Sequence, residues 1–597
     1  MTIQYDIEHP DQPDHSGGPA EPAPIGNDHV VGLALDDLPV GTTRLVKVDG
    51  RRLCVARTES GVYAVDHECP HEGYGLTQGQ LDGELLTCAW HNWKFDVRTG
   101  ACVVGQDPVP THDVNVGADG AISVSVRRPS VEQERKRLLT SLQRGVERNY
   151  VGQIARDTAR LLDVAVDPVD IATVGVLHGV SRAEWGWGHS IAALTDSLAM
   201  IDLFDGAQRA IPLVQGLSFV AETERDRPEQ PLATPAKAAE CTRSAFLGAV
   251  EREQLDAAQS IVLGAIEAGA PLSELHDWFV GAVSAHHLSY GHGAIYAQKA
   301  IELLEMVGVT HAAQVLGHLV TTIVHGTRED TLPYYRRFGR VVDSFDLVDI
   351  ARRVVVDDTS QRPGASGADE ADLRDVLLGD DRAAAAERTL EALAAGMSLD
   401  GVLDVIVAAV SERLLRHDTA VEADLDDDFN WLDITHGLTY AHAARFHLAR
   451  QRAAGRLDEG ADASLERRLE LVHLVLFCAF QGNWTGRHEW HSLVGLPILP
   501  AGFAGDERPV SGDAAVDSLD ERAAGLQRRA FDDVHATNIH VVHAVKTARA
   551  GALEARRSGD ERILAAVARY FDGPRQERGV RAATHRSIEF VAGRISR

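Results

Sequence analysis

Four residues that can bind a metal stand in two short pairs near the start of the chain. Cys69 and His71 form a Cys-x-His pair, and after 16 intervening residues Cys88 and His91 form a Cys-x-x-His pair. Thiolates and imidazoles bind either zinc or the irons of an iron–sulfur cluster. Zinc fingers more often pair Cys with Cys and His with His. The mixed pairs therefore favour a [2Fe–2S] cluster in which two thiolates hold one iron and two imidazoles hold the other, with all four residues as ligands.

Such a cluster needs two loops that face each other, and residues 28–127 predict the strands that would hold them. Short alternating runs are separated there by turn signals such as Asp49-Gly50 and Asp82-Gly83. The predicted strands cover residues 30–35, 43–48, 51–56, 62–65 and 122–126. About a hundred residues of short strands and turns are typical of a small all-β sandwich or barrel.

This segment resembles the Rieske ferredoxin domain of bacterial oxygenase systems. The resemblance rests on the four ligand positions and on Trp90, Trp93-Lys94-Phe95-Asp96 and Arg98-Thr99-Gly100 around them. It implies that residues 28–127 form a Rieske [2Fe–2S] domain that carries one electron at a time. It also implies that the ligand histidines mark the exposed edge, where the electron passes to a partner.

The same comparison implies two departures from the respiratory type of Rieske protein. That type has an extra cysteine in each loop, joined in a disulfide, and this chain has Tyr74 and Trp90 at those places. The respiratory type also has a serine just after its second ligand histidine, and this chain has Asn92 and Trp93 there. Fewer hydrogen-bond donors to the sulfurs lower the reduction potential, so we expect the lower part of the Rieske range, about −150 to 0 mV.

The rest of the chain has a different periodicity. Residues 1–27 are rich in Pro, Asp and Gly and predict a disordered acidic tail, whereas residues 128–597 have helical periodicity and predict a large all-α domain.

Twenty of the 27 histidines lie between residues 178 and 585. Side chains three residues apart on a helix can converge on one metal. The pairs with that spacing are Asp433/His436, His488/His491, Asp532/His535 and His540/His543. A second iron in the helical domain is therefore a hypothesis, and its alternative is that these histidines are core residues that join helices.

Several histidine-containing segments resemble helices of questin oxidase-like proteins. The segments are residues 177–180, 285–293, 433–445 and 538–544. The resemblance implies Baeyer–Villiger-type oxidative ring opening of anthraquinones, but it assigns no catalytic residue. One histidine in each segment is a catalytic candidate: His178, His287, His436 and His540.

Charge and missing motifs exclude other classes of protein. The chain has 59 basic and 88 acidic residues, a net charge of −29, which argues against binding to nucleic acid.

No window of about 18 uninterrupted apolar residues predicts a membrane span, and the N-terminus has no secretory pattern, so we expect a cytoplasmic protein. The sequence has no GxGxxG or Walker A motif. We therefore expect NAD(P)H to bind a separate reductase, which donates electrons directly or through a ferredoxin.

These observations predict a Rieske iron–sulfur oxidoreductase of two parts. The cluster would pass single electrons to the all-α domain, which would mono-oxygenate a hydrophobic, aromatic or polyketide-like small molecule. The alternative is an electron carrier or redox sensor whose helical part is a scaffold that docks a partner and does no substrate chemistry.

Overall fold

The computed structural model describes residues 25–105, 107–127, 130–356, 367–423, 429–458, 464–483, 518–532, 534–575 and 579–593. Residue contacts divide the chain into two compact units, one up to Ser141 and one from Leu142 onward. Strands fill the first unit and helices fill the second, which confirms the predicted fold class. Residues 1–24 of the predicted tail and the pair His488/His491 lie outside the described residues.

Ten antiparallel strands form two sheets among the described residues of the first unit. They are β1 (Ile25–Ala34), β2 (Thr42–Val48), β3 (Arg51–Arg57), β4 (Val62–Asp66), β5 (Gln80–Asp82), β6 (Leu85–Thr87), β7 (Lys94–Asp96), β8 (Cys102–Val104), β9 (Thr111–Val116) and β10 (Ala121–Arg127). The larger sheet has the order β1-β10-β9-β4-β3-β2, and the smaller has the order β5-β6-β7-β8. Because Ile25 pairs with Arg127, the first strand starts inside the segment that was predicted as tail.

Local sequence explains how these strands are placed. Asp49 and Gly50 both have positive φ, 48° and 80°, which a tight hairpin between β2 and β3 requires. Alternate side chains of the larger sheet, including Val46, Val48, Leu53 and Val55, are buried in one apolar core. This sheet gives the unit a core of its own, and the smaller sheet carries part of the candidate cluster site.

The second unit is made of helices, which begin just before its boundary. They are α1 (Val131–Glu147), α2 (Val151–Asp163), α3 (Pro168–Arg182), α4 (His189–Ala199), α5 (Ala210–Thr223), α6 (Arg243–Glu251), α7 (Leu255–Glu267), α8 (Leu272–Ala285), α9 (His292–Val307), α10 (Ala312–Val324), α11 (Arg336–Val342), α12 (Leu347–Arg353), α13 (Gly367–Leu378), α14 (Arg382–Ala394), α15 (Leu399–Arg416), α16 (Trp431–Ala453), α17 (Ser464–Gly482), α18 (Leu519–Arg529), α19 (Asn538–Ser558), α20 (Glu561–Asp572) and α21 (Val580–Val591). Among the described residues, no helix is both long enough and apolar enough to cross a membrane.

Helix α16 lies at the centre of this unit and packs against α9, α15, α17 and α19. It starts at a capping box, in which Asn430 and Asp433 satisfy each other's backbone N–H groups. Most of its side chains are buried on all sides, which is expected of a helix surrounded by other helices. Polar residues on α16 therefore face neighbouring helices, and this arrangement allows side chains from several helices to meet.

Candidate metal centres

The four residues of the Cys/His motif lie on two loops, as their spacing predicts. Cys69 and His71 lie between β4 and β5, and Cys88 and His91 lie between β6 and β7. Backbone hydrogen bonds close each loop: Cys69 N–H donates to Tyr74 O at 2.8 Å, and Cys88 N–H donates to Trp93 O at 2.7 Å. The sequence thus folds locally into two tight turns that each present one sulfur and one imidazole.

The geometry of these loops fits a [2Fe–2S] cluster. The rings of His71 and His91 have centroids 4.5 Å apart, and the Cys69 and Cys88 thiols are hydrogen-bonded to each other. That hydrogen bond, followed by the backbone N–H groups of Trp90 and His91, lowers the pKa of Cys88 against the effect of its burial. Two adjacent thiols, of which Cys88 lies in an environment that favours the thiolate, beside two imidazoles, are the donor set that the cluster needs.

Exposure differs between the two imidazoles. His71 is buried and stacks on Trp93, with ring centroids 4.7 Å apart and planes 14° from parallel. The His91 side chain is 40% exposed, and Trp90 beside it is 59% exposed. The solvent-facing edge of the motif is therefore formed by His91 and Trp90.

An aromatic pair joins the two loops where the respiratory type has its disulfide. The rings of Tyr74 and Trp90 stack with centroids 5.5 Å apart and planes 14° from parallel. Gly75 follows Tyr74 and lies against His67, because a Cβ at Gly75 would come within 2.6 Å of His67 Nε2. The Tyr74-Gly75 sequence is thus explained by packing: the tyrosine reaches the opposite loop, and the glycine leaves room for an imidazole.

A second group of metal-binding side chains lies in the helical unit. His189, His292, His436 and His543 each offer a ring nitrogen, and these atoms all lie within 4.8 Å of one another. We call these residues the four-histidine cluster. His189 and His292 are the first residues of α4 and α9, and His436 and His543 lie in the second turns of α16 and α19. His436 and His543 are buried, whereas His189 and His292 are half-buried and give the cluster a more accessible side.

Hydrogen bonds fix which nitrogen of each buried imidazole points into the cluster. His436 Nδ1–H donates to Leu432 O, and His543 Nδ1–H donates to Ile539 O, both at 2.6 Å, because a carbonyl can only accept. In the neutral rings each Nε2 then carries a lone pair, and the two Nε2 atoms are 3.4 Å apart. Two lone pairs that face each other repel unless a metal ion, a proton or a water molecule lies between them. Histidines that bind metals donate their other N–H to a carbonyl in this way.

The third imidazole follows the same pattern, and the electrostatics keep the rings neutral. His292 Nε2 lies 2.9 Å from His436 Nε2, and His292 also has a hydrogen bond to the backbone of Ser289. Burial, and then the charge of Lys546, lower the pKa of His436 to about 3. Lys546 is itself buried on α19, and burial lowers its pKa to about 7. Neutral imidazoles are the form that binds metal ions.

Buried ion pairs join three of the helices that carry the cluster. Asp196 on α4 accepts from Lys299 on α9 and from Arg549 on α19, each at 2.8 Å. Glu302 on α9 also accepts from Lys299 at 3.1 Å and from Arg549 at 2.6 Å. Removing one partner of a buried ion pair strongly destabilises the folded protein, because the other charge is left buried and unpaired. This network therefore fixes the helices relative to each other.

The structure separates the four catalytic candidates. His436 belongs to the four-histidine cluster. His178 is buried on α3, where burial lowers its pKa to about 4, and His540 lies on α19 with its ring 6.2 Å from His535. His287 lies in the turn between α8 and α9, among aromatic side chains. The cluster is thus not formed by any of the pairs three residues apart, and Asp433 caps α16.

Sequence reasoning did not single out His189 or His292 as site residues, and it paired His543 with His540 rather than with the partners that the structure gives it. His292 and His543 lie in the histidine-containing segments, but their partners lie on other helices, about 100 or more residues away in the chain. No local spacing relates such residues. The signal that the sequence did contain was the abundance of histidine in a helical region.

Comparisons with known proteins bear on the first unit. A model of the Rieske [2Fe–2S] domain matches residues 29–115. The ferredoxin component of naphthalene 1,2-dioxygenase/salicylate 5-hydroxylase systems from a Ralstonia species is 33% identical over 84 residues, which are 14% of this chain and 81% of that protein. The strands of residues 25–127 and this family match thus show a Rieske [2Fe–2S] domain, which implies a [2Fe–2S] cluster.

Two further similarities cover the same part of the chain. Cholesterol 7-desaturase from Hemicentrotus pulcherrimus is 38% identical over 73 residues, which are 12% of this chain and 16% of that protein. The solved structure of the ferredoxin of carbazole 1,9a-dioxygenase from Nocardioides aromaticivorans is 30% identical and covers 17% of this chain and 100% of that chain, with a TM-score of 0.16. The chain belongs to the Rieske [2Fe–2S] family, and its homology to ferredoxin components of oxygenase systems supports a role in electron transfer.

Proposed function

We propose that this protein is an oxygenase in which the Rieske cluster supplies single electrons to an iron bound by the four-histidine cluster. The observation that carries the proposal is the convergence of Nε2 atoms from α9, α16 and α19, with the tautomers of His436 and His543 fixed by backbone carbonyls. Such an arrangement leaves lone pairs facing each other without a metal, and it becomes favourable with one.

The identity of the metal follows from the fusion to a Rieske domain. Imidazole nitrogens suit zinc, copper, nickel and iron. Zinc has no redox chemistry and would make no use of an electron from the cluster. Iron bound by nitrogen ligands activates dioxygen in many proteins, and it is the metal that matches a one-electron donor and an oxygenase system.

The overall reaction would be a mono-oxygenation. One dioxygen, two electrons and two protons would insert one oxygen atom into the substrate and release the other as water. The electrons would come singly through the cluster from an external NAD(P)H-dependent reductase or a ferredoxin. A hydrophobic or aromatic small molecule is proposed as the substrate, from the resemblance of the helical segments to questin oxidase-like proteins. Residues His189 and His292, which are half-buried, lie on the side of the cluster that such a molecule could approach.

Metal analysis of the purified full chain tests the proposal. The Rieske cluster accounts for two irons and two sulfides, so a second site raises the content to about three irons per chain with sulfide unchanged. His436→Ala should return the iron content to about two per chain and leave the Rieske absorption spectrum unchanged.

Asp433→Asn is the matched control, because Asp433 is close to His436 in sequence but caps the helix. It should keep the third iron, although it can lower the stability of α16. Two irons and two sulfides in the wild-type protein, or zinc in the helical unit, would contradict the proposal. Turnover of an aromatic substrate with a generic reductase, lost in His436→Ala, would then test the activity itself.

A second candidate function is that of an electron carrier or redox sensor. It is favoured by the match to a ferredoxin component, of which this chain covers 81%. In that case the electron would leave the cluster through the exposed pair His91 and Trp90, and the helical unit would bind the external electron acceptor. His436→Ala would then leave electron transfer to that acceptor unchanged, and the wild-type protein would have no substrate oxidation to lose.

A further inference from the structure

His287 has an unusual environment for a histidine. Its side chain is 1% exposed, and neither ring nitrogen has a hydrogen-bond partner in the described part of the chain. Its backbone, by contrast, is fully paired: His287 N–H donates to Asp330 Oδ1 at 2.9 Å, and His287 O accepts from Glu329 N–H at 2.8 Å. Burial of a donor and an acceptor without partners destabilises a folded protein, so a stability role does not explain this imidazole.

Aromatic rings enclose the imidazole on several sides. Tyr440 and Phe477 are nearly parallel to it, at 17° and 14°, with centroids 5.5 and 5.7 Å away. Phe480 meets it edge-on at 5.6 Å, and Tyr335 is tilted at 6.3 Å. These rings supply aromatic surface of the kind against which a planar aromatic molecule packs.

This aromatic enclosure adjoins the four-histidine cluster. Tyr440 lies one helical turn after His436 on α16. It also packs against Gly291, the residue before His292, so closely that a Cβ at Gly291 would come within 2.4 Å of Tyr440 Cδ1. Gly291 has a φ of 90°, which favours glycine in any case. Tyr440 is thus shared between the surroundings of His287 and those of the proposed metal.

We propose that His287 is a substrate-binding residue that holds a planar aromatic molecule by a hydrogen bond to a hydroxyl or carbonyl oxygen, against the rings of Tyr440 and Phe477. Naming this ligand as the substrate rests on the proposed function, but the binding itself does not. Burial lowers the pKa of His287 to about 3, so the ring is neutral at physiological pH. A neutral imidazole has one N–H donor and one acceptor, and it can bond to either kind of oxygen.

The first test is a comparison of two buried histidines in the full chain. His287→Phe removes two unpaired polar atoms and keeps an aromatic ring, so we expect it to raise Tm by about 1–3 °C. His447→Phe is the control, because both nitrogens of His447 are paired, with His276 Nε2 at 2.9 Å and with Ala294 O at 3.0 Å. It should lower Tm, since it leaves buried partners without hydrogen bonds.

The second test measures binding of phenol and of toluene, which have similar rings and differ in the oxygen. Wild type should bind phenol more tightly than toluene. His287→Phe should weaken phenol binding by about tenfold and leave toluene binding unchanged, since one hydrogen bond is lost. Iron content should be the same in both proteins, which separates this inference from the proposed metal site.

Three results would overturn the assignment of His287. They are a loss of Tm in His287→Phe as large as that in His447→Phe, no measurable binding of phenol by wild type, or equal phenol affinity in wild type and His287→Phe. A wild-type protein without a third iron, but with phenol binding that depends on His287, would instead refute the proposed oxygenase centre and leave this binding site standing.

Discussion

We expect the helical unit to lose stability when the pH falls below about 6.5, because it buries histidines in their neutral form. Several histidines outside the proposed metal site show this effect, and its size can be worked out for His178, His287, His318 and His447. Burial lowers the pKa to about 3 for His287 and to about 4 for the other three. Above pH 6.5 each ring is neutral in the folded and the unfolded chain, so the shift has no effect there. Below it, only the unfolded chain takes up the proton, and the folded state becomes less stable.

The size of the effect follows from these pKa values. Between about pH 7.5 and 5.5 each such histidine reduces the free energy of unfolding by about 1.3 kcal/mol, so four reduce it by about 5 kcal/mol. The hydrogen bond to Asp330 raises the pKa of His286, which acts in the opposite direction and offsets part of this loss. Since domains unfold with about 5–15 kcal/mol, the remaining change is a large fraction of the total.

Urea denaturation at the two pH values, followed by far-UV circular dichroism, measures the change. His318→Leu provides the residue-specific control: it removes one buried histidine on α10 and should reduce the pH dependence by about 1.3 kcal/mol over this range. The carboxylates that are paired in the folded protein lose their contribution only at lower pH, so they do not obscure the result. Equal stability at both pH values, or an unchanged pH dependence in His318→Leu, would refute the reasoning.

Three further predictions concern the Rieske unit. Cys69→Ala should lose the cluster, whereas His71→Cys should retain iron with an altered visible spectrum; a colourless protein loaded with zinc would contradict both expectations. Trp90→Ala removes the ring that stacks on Tyr74, an interaction worth about 0.5–1.5 kcal/mol, and should speed the loss of cluster absorbance on storage, while an unchanged rate would show that the pair does not hold the loops together. The reduction potential should lie at about −150 to 0 mV in a redox titration, and a value near that of the high-potential respiratory type would be inconsistent with the missing donors.

The sequence by itself determined the β unit and predicted the cluster ligands within it. Cys69, His71, Cys88 and His91 were predicted from spacing, because each pair lies within one short loop and the loops follow strands with clear turn signals. The turn at Asp49-Gly50 was predictable for the same reason, since left-handed backbone at two adjacent positions has a known sequence preference. These features depend on residues that are near each other in the chain.

Only the tertiary structure identified the four-histidine cluster. Spacing along the chain indicates which side chains can converge only when they lie on the same helix. His189, His292, His436 and His543 lie on four different helices, and they meet because those helices pack together. The isolated imidazole of His287 was likewise invisible in sequence, because a missing hydrogen bond is a property of the surroundings. Packing between distant segments decides which polar side chains converge and which remain unpaired, and no local pattern encodes it.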